Sequence, residues 1–148
     1  MSEKRKTGAG TGDFRLDDQV GHLLRRAYQR GSAYLAGRLR PYDLTPMQFA
    51  AIMRLRECGP LSQNELGRMI SMPPANIHSL VGRLKKRGLI KTGRNPDDRR
   101  LILIDLSTKG RRMTHTLIPL DLQSSADTLA PLSPSEQVKF LALLRKLA

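Results

Sequence analysis

A single cysteine, Cys58, stands in the 148 residues of this chain. A lone thiol closes no internal disulfide, so cross-linking is excluded as a source of stability and a reducing compartment suits the sequence. Cys58 falls at the end of a helical pattern, directly before Gly59-Pro60. The helix dipole disfavours a thiolate there, so it reads as a structural or incidental residue and not as a redox sensor. The histidines His22, His78 and His115 are far apart and hold no metal-ligand spacing, and no Gly-rich phosphate loop, nucleophile motif or Cys/His cluster occurs. An enzyme therefore lacks its residues, and no cofactor is expected. No apolar run reaches bilayer length, and no helix sets a Lys/Arg face against bulky aromatics, so no membrane partner is expected either. Residues 1–12 are rich in Lys, Gly, Thr and Ser and lack the apolar stretch of a secretory signal, which makes the cytoplasm the expected location.

Negative charge is also scarce. Lys and Arg number 26 against 13 Asp and Glu, a formal charge of +13, and so positive a surface attracts polyanions, nucleic acid foremost. The excess is concentrated: residues 83–112 hold 11 basic and 3 acidic side chains, a net +8 of the +13.

Apolar spacing supplies the architecture. Ser62-Gln63-Asn64-Glu65 is a capping box that starts a short helix with Leu66, Met69 and Ile70 expected inward, and Ser71-Met72 is a turn. The next helix carries Ile77, Leu80, Val81 and Leu84 at i, i+3, i+4 and i+7, which one face can bury while Asn76, His78, Ser79 and Arg83 point outward. Gly88 stops that helix, residues 89–92 read as a strand, 95–100 as a polar turn ending in two arginines, and 101–106 as the returning strand. Helix, turn, helix and basic hairpin in this order spell a winged helix-turn-helix. The expected fold class is mainly α with a small β-wing, plus N- and C-terminal dimerisation helices. Polar groups at the front of the second helix suit base edges. The candidate DNA-binding residues are Ala75, Asn76, His78 and Ser79 at that front, Arg83, Lys85 and Lys86 further along, and Arg94, Arg99 and Arg100 in the hairpin.

Residues 16–38 form a long helical pattern with Val20, Leu23, Leu24, Ala27, Gly31, Tyr34 and Leu35 on one broad stripe, and Asp17 and Asp18 favour its N-terminal end. Thr45-Pro46-Met47-Gln48 starts a second helix with Phe49, Ile52, Met53 and Leu55 as its apolar positions. After the hairpin, Ser107 or Thr108 caps a helix through Met113, Leu117, Ile118, Leu120 and Leu122 that Pro119 is expected to kink or interrupt. Ser133-Pro134-Ser135-Glu136 begins a last helix bearing Val138, Phe140, Leu141, Leu143, Leu144 and Leu147. These wide apolar faces have too little of their own chain to cover them. Either a partner chain covers them, together with the first helix, or they pack only on the winged domain. The expected organisation is a flexible basic tail over 1–14, a helical dimerisation region over 15–40 and 107–148, and a DNA-binding winged helix-turn-helix over 41–106.

Several local motifs sharpen this. Asn95-Pro96-Asp97-Asp98-Arg99-Arg100 leads to Leu106-Ser107-Thr108-Lys109-Gly110. Leu44-Thr45-Pro46-x-Gln48-Phe49, Leu61-Ser62-Gln63-x-x-Leu66-Gly67 and Leu84-x-x-Arg87-Gly88-Leu89-Ile90 precede it. Over residues 17–147 the chain resembles the MarR family of bacterial transcription regulators, whose wing commonly reads Asp-Pro-x-Asp-Arg-Arg before an apolar strand and Leu-Thr-x-x-Gly. The resemblance implies a homodimer with interlocked terminal helices, a palindromic operator in double-stranded DNA, and repression relieved by a small anionic effector, commonly an aromatic acid or phenol. It also carries a minor-groove contact onto Arg99, with Arg94 as second choice. Pro73-Pro74 stands where the family often has an Asp or Ser cap, and Asn95 and Asp97 replace an Asp and a frequently basic residue. Asp97 repels phosphate, and Arg100 either meets DNA or braces Asp98. For the effector, His22 and Arg26 face one way beside Phe49 and Met53, with Arg30 near. They can hold a carboxylate or merely form a solvated basic face. Arg25, Arg38 and Arg40 add cations that the CoA thioester of an aromatic acid can use, and the thioester is expected ahead of the free aromatic acid. A sequence-neutral architectural nucleic-acid binder stands as the alternative function.

Overall fold

The computed structural model describes residues 11–148, so residues 1–10, the larger part of the expected basic tail, lie outside the described residues. Short 3-10 turns at Thr11–Asp13 and Leu16–Asp18 lead to helix α1 (Val20–Leu39), and a third at Arg40–Tyr42 leads to α2 (Pro46–Cys58). Strand β1 (Leu61–Ser62), α3 (Gln63–Met69), α4 (Pro74–Lys86), β2 (Ile90–Arg94), β3 (Ile102–Leu106), α5 (Thr108–Leu129) and α6 (Pro134–Leu144) follow. The strands form one antiparallel sheet in the order β1-β3-β2. Among the described residues no helix is long and apolar enough to cross a membrane.

Local chemistry fixes the helix starts. Thr45 Oγ1 accepts from the Gln48 backbone at 3.2 Å while Gln48 Oε1 accepts from the Thr45 backbone at 2.9 Å. Ser62 with Glu65 and Ser133 with Glu136 repeat the reciprocal pattern at α3 and α6, each satisfying two backbone donors that a helix start otherwise leaves open. The backbone N–H of Ser62, and then its hydroxyl, hold the Glu65 carboxyl below the usual carboxylate range.

The core gathers around α2, α3, α4 and the sheet: Ile52, Leu55, Leu66, Ile77, Leu84 and Leu106 are fully or almost fully buried. Three expectations are corrected and one short strand is added. Met69 is not inward but 46% exposed: α3 ends there, and Leu66 and Ile70, four apart, take the core face. Pro119 does not interrupt α5, which is continuous through it; the proline is exposed, and its missing N–H forgoes one backbone hydrogen bond of the helix. The long first helix begins at Val20, with residues 16–18 in a separate 3-10 turn. Strand β1, where the sequence predicts only the Ser62 cap, pairs Leu61 with Ile104 and Ser62 with Leu103.

The outer helices keep open apolar faces within this chain. Val20 is 65% and Val138 70% exposed, Leu23, Phe140, Leu141 and Leu143 are exposed too, and α6 has no buried residue. Packing on the winged part alone therefore does not cover them. Helix α1 meets α5 where Gly31 faces Thr128, so that a Cβ on Gly31 would sit 3.2 Å from the threonine hydroxyl. Further along α1, Arg38 donates to Ser124 Oγ at 3.3 Å and to the Asp127 carboxylate, and that guanidinium, followed by the Gln123 amide, holds the Asp127 carboxyl below its usual range.

A tighter junction joins α4, the sheet and α5. Gly88, at φ +70°, lets the chain leave α4, Leu89 donates back to the Leu84 carbonyl at 3.1 Å, and Ser107 donates to the Leu89 carbonyl at 3.1 Å. Ser107 Oγ then accepts from the Gly110 backbone at 3.0 Å and caps α5. A Cβ built on Gly110 would lie 2.1 Å from the Leu89 carbonyl oxygen, a backbone atom that has nowhere to go. Gly110→Ala is accordingly expected to lower unfolding stability by about 3 kcal/mol or more, measured by urea titration followed by circular dichroism. Stability equal to the parent would mean that the junction relaxes freely.

Candidate nucleic-acid interface

Helix α4 presents its reading face as its spacing requires. Ile77, Leu80, Val81 and Leu84 are buried, while Ala75, Asn76, His78, Ser79, Arg83, Lys85 and Lys86 are exposed. Asn76, Ser79, Arg83 and Lys86, separated by three, four and three residues, share one outer stripe. The helix starts without a side-chain cap: Pro73 holds the N-cap position, and the Asn76 N–H donates to the Pro73 carbonyl at 2.9 Å. Ser71, at φ +55°, turns the chain from α3 into this start.

The wing is a braced hairpin. Asn95 N–H donates to the Leu101 carbonyl at 2.9 Å, Asn95 Oδ1 accepts from the Asp97 backbone at 2.9 Å, and Asp98 Oδ1 accepts from the Arg100 backbone at 3.0 Å. Arg100 Nε also donates to Asp98 Oδ1 at 3.1 Å, so the bracing reading of this arginine is realised. The Arg100 side chain, followed by its backbone N–H, holds the Asp98 carboxyl below its usual range. Arg94 Nη1 donates to the Arg99 carbonyl at 2.9 Å and so ties the outgoing strand to the tip. Arg99 is exposed, and among the described residues its guanidinium has no hydrogen-bond or ion-pair partner.

The expected effector residues are brought together only in part. His22 Nε2 and Arg26 Nη1 converge on one carboxylate oxygen, Asp17 Oδ1, at 3.5 and 3.6 Å. Arg30 lies over the Tyr34 ring, 5.8 Å from its centroid. Phe49, 8% exposed, belongs to the core and Met53 packs against that core. Sequence reasoning missed a groove between the start of α2 and α4, a cleft of about 660 Å³ lined by Arg40, Thr45, Gln48, Arg83, Lys86 and Arg87 among others. Only the folded chain brings Arg40, at the exit of α1, beside α4. None of His22, Arg26, Arg30, Phe49 and Met53 lines it.

An exposed polar helix face beside a cationic hairpin suits duplex DNA. A family model described as MarR family matches residues 42–101. The HTH-type transcriptional repressor NicR of Pseudomonas putida is 37% identical over 134 residues, covering 90% of this chain and 85% of its own length. The chain belongs to the MarR family. A solved probable transcriptional regulator from Pseudomonas aeruginosa is 44% identical with a TM-score of 0.84, covering 90% of this chain and 100% of that one. The Bordetella bronchiseptica regulator BpsR, whose structure concerns regulation of DNA binding by 6-hydroxynicotinic acid, is 34% identical with a TM-score of 0.84, covering 90% and 96%. This MarR-family chain is thus a DNA-binding transcriptional regulator and not an enzyme. Its two exposed groups are expected to fail differently. Asn76→Ala or Ser79→Ala should relax discrimination at particular base pairs by roughly 1 to 3 kcal/mol. Arg99→Ala should weaken every duplex and flatten the salt dependence of binding measured by fluorescence anisotropy, and an unchanged affinity and salt slope would remove Arg99 from the interface.

Proposed function

We propose that this protein is a cytoplasmic, homodimeric repressor whose affinity for a palindromic operator falls when a small aromatic carboxylate binds. The observation that carries the reading is the pairing of an exposed reading helix with outer helices whose apolar faces are open. In this account residues 41–106 are the DNA-binding unit, and residues 15–40 and 107–148 are the dimerisation region. A second copy is the natural cover for those faces, because a closed two-fold assembly buries the same patch on both partners. Asn76, His78 and Ser79, with Ala75 beside them, meet bases, while Arg83, Lys85, Lys86 and the wing arginines Arg94, Arg99 and Arg100 meet phosphates or the minor groove.

An organic anion needs a cation and an apolar wall. His22 and Arg26 already share a carboxylate, that of the exposed Asp17, and an effector carboxylate that takes the place of Asp17 receives the same two groups. The wall is assigned to Met53, half-buried against the core, since Phe49 is taken up by the core, and Arg30 stands one turn on. The free acid is favoured over its CoA thioester because Arg38 is committed to Asp127 and Arg30 to Tyr34, which leaves few cations on α1 for a chain of phosphates. Support from relatives lies in the repressor NicR and in BpsR, whose DNA binding is regulated by 6-hydroxynicotinic acid. Release follows if the bound acid holds the two reading helices at a separation other than one helical turn of DNA, about 34 Å, so that only one docks at a time.

Titrating a panel of aromatic carboxylates, 6-hydroxynicotinic acid included, by calorimetry and against a labelled DNA complex tests this reading. At least one acid should bind and release DNA, and Arg26→Ala should weaken that acid about tenfold to a hundredfold, the worth of one charge-assisted hydrogen bond. DNA affinity without the acid should stay unchanged. No binding by any acid, or binding indifferent to both Arg26→Ala and His22→Ala, would discard the site.

A further inference from the structure

We infer that Arg40, at the exit of α1, is a DNA-phosphate contact, and that the groove between α2 and α4 seats one strand of the duplex backbone. This rests on the DNA-binding reading above and assigns to DNA a cation that its place in the sequence groups with the effector side of the first helix. Two clefts make the groove. The larger is lined by Arg40, Arg83 and Lys86, and the smaller, about 230 Å³, by Asn76 and Ser79, with Thr45, Gln48 and Arg83 common to both. The groove therefore runs without a break from the residues facing bases to the three cations.

Length decides what lies at its cationic end. Asn76 and Lys86 are ten residues apart on α4, about 15 Å along the axis, whereas the major groove is about 12 Å wide. A helix that holds Asn76 against base edges must carry Lys86 out across the groove wall, where the phosphates are. Arg40 faces the same cleft from the opposite side. Neither its side chain nor that of Arg83 or Lys86 has a hydrogen-bond or ion-pair partner among the described residues. Arg87 differs: its guanidinium donates to the Tyr42 carbonyl at 2.7 Å and to the Asp43 carbonyl, so it holds the turn between α1 and α2 onto the end of α4 and fixes where Arg40 stands. One carboxylate, Asp43, lines the cleft against four cations, a balance that favours a phosphodiester.

The test is the salt dependence of duplex binding by the full chain, with Arg40→Gln, Arg40→Lys and, as a charge-matched control, Arg56→Gln on the exposed end of α2. Arg40→Gln should make the slope of log affinity on log salt shallower by about one and weaken binding about three- to tenfold at physiological salt. Arg40→Lys should restore most of the slope, and Arg56→Gln should leave it unchanged. An unaltered slope in Arg40→Gln, or equal losses in Arg56→Gln, overturns the assignment, as does saturable binding of inorganic pyrophosphate that Arg40→Gln abolishes while the DNA slope stays as in the parent. Failure of the parent chain to bind any duplex would instead defeat the DNA-binding reading itself.

Discussion

The carbonyl oxygen of Leu89 is the atom on which the geometry of the reading head turns. It accepts the Ser107 N–H and lies against the face of Gly110 so closely that no side chain fits between. At this one place the exit of the recognition helix, the root of the wing and the first turn of α5 are in backbone contact. Lys109 Nζ adds a 2.9 Å bond to the Arg87 carbonyl, which neutralises the C-terminal end of α4. Helix α5 then runs 22 residues and packs on α1, so one continuous helix links this junction to the outer helices.

Electrostatics sorts the cations into two groups that a formal charge of +13 does not distinguish. Arg38, Arg87, Arg94, Arg100 and Arg111 are engaged by carboxylates or carbonyls of the chain, and their work is to hold α1 on α5, the turn on α4, and the hairpin in shape. Arg40, Arg83, Lys86 and Arg99 are exposed and without such partners among the described residues. In the proposed reading a phosphate reaching the second group displaces only water and counterions, whereas one reaching Arg94 or Arg100 competes with the Arg99 carbonyl or the Asp98 carboxylate.

What is legible in the sequence is what local chemistry decides. Thr45 with Gln48, and Ser62 with Glu65, mark helix starts because a cap and its partner are three residues apart. The stripe of Ile77, Leu80, Val81 and Leu84 needs only the helical period, and the polar turn at 95–98 only its proline and side-chain acceptors. Strand β1 escapes because two residues carry no period and exist as a strand only through Ile104 and Leu103. Met69 departs from its pattern because the end of α3 decides which of its residues faces inward. Pairings across the chain are out of reach: Asp127 lies 89 residues from Arg38, and Arg40 reaches the groove by way of the turn that Arg87 holds. The effector residues are the least legible, since Asp17 stands between His22 and Arg26 and Phe49 is taken up by the core.

The central claim is that two rigid reading heads, related by a two-fold axis, read DNA together. Selection of duplexes from a randomised pool by the purified protein, followed by sequencing, addresses it and requires neither the operator nor the effector to be known. The account predicts an enriched site made of two inverted half-sites with centres about 10 base pairs apart or a multiple of that. No enrichment over the starting pool, or a single half-site without a dyad, would contradict it.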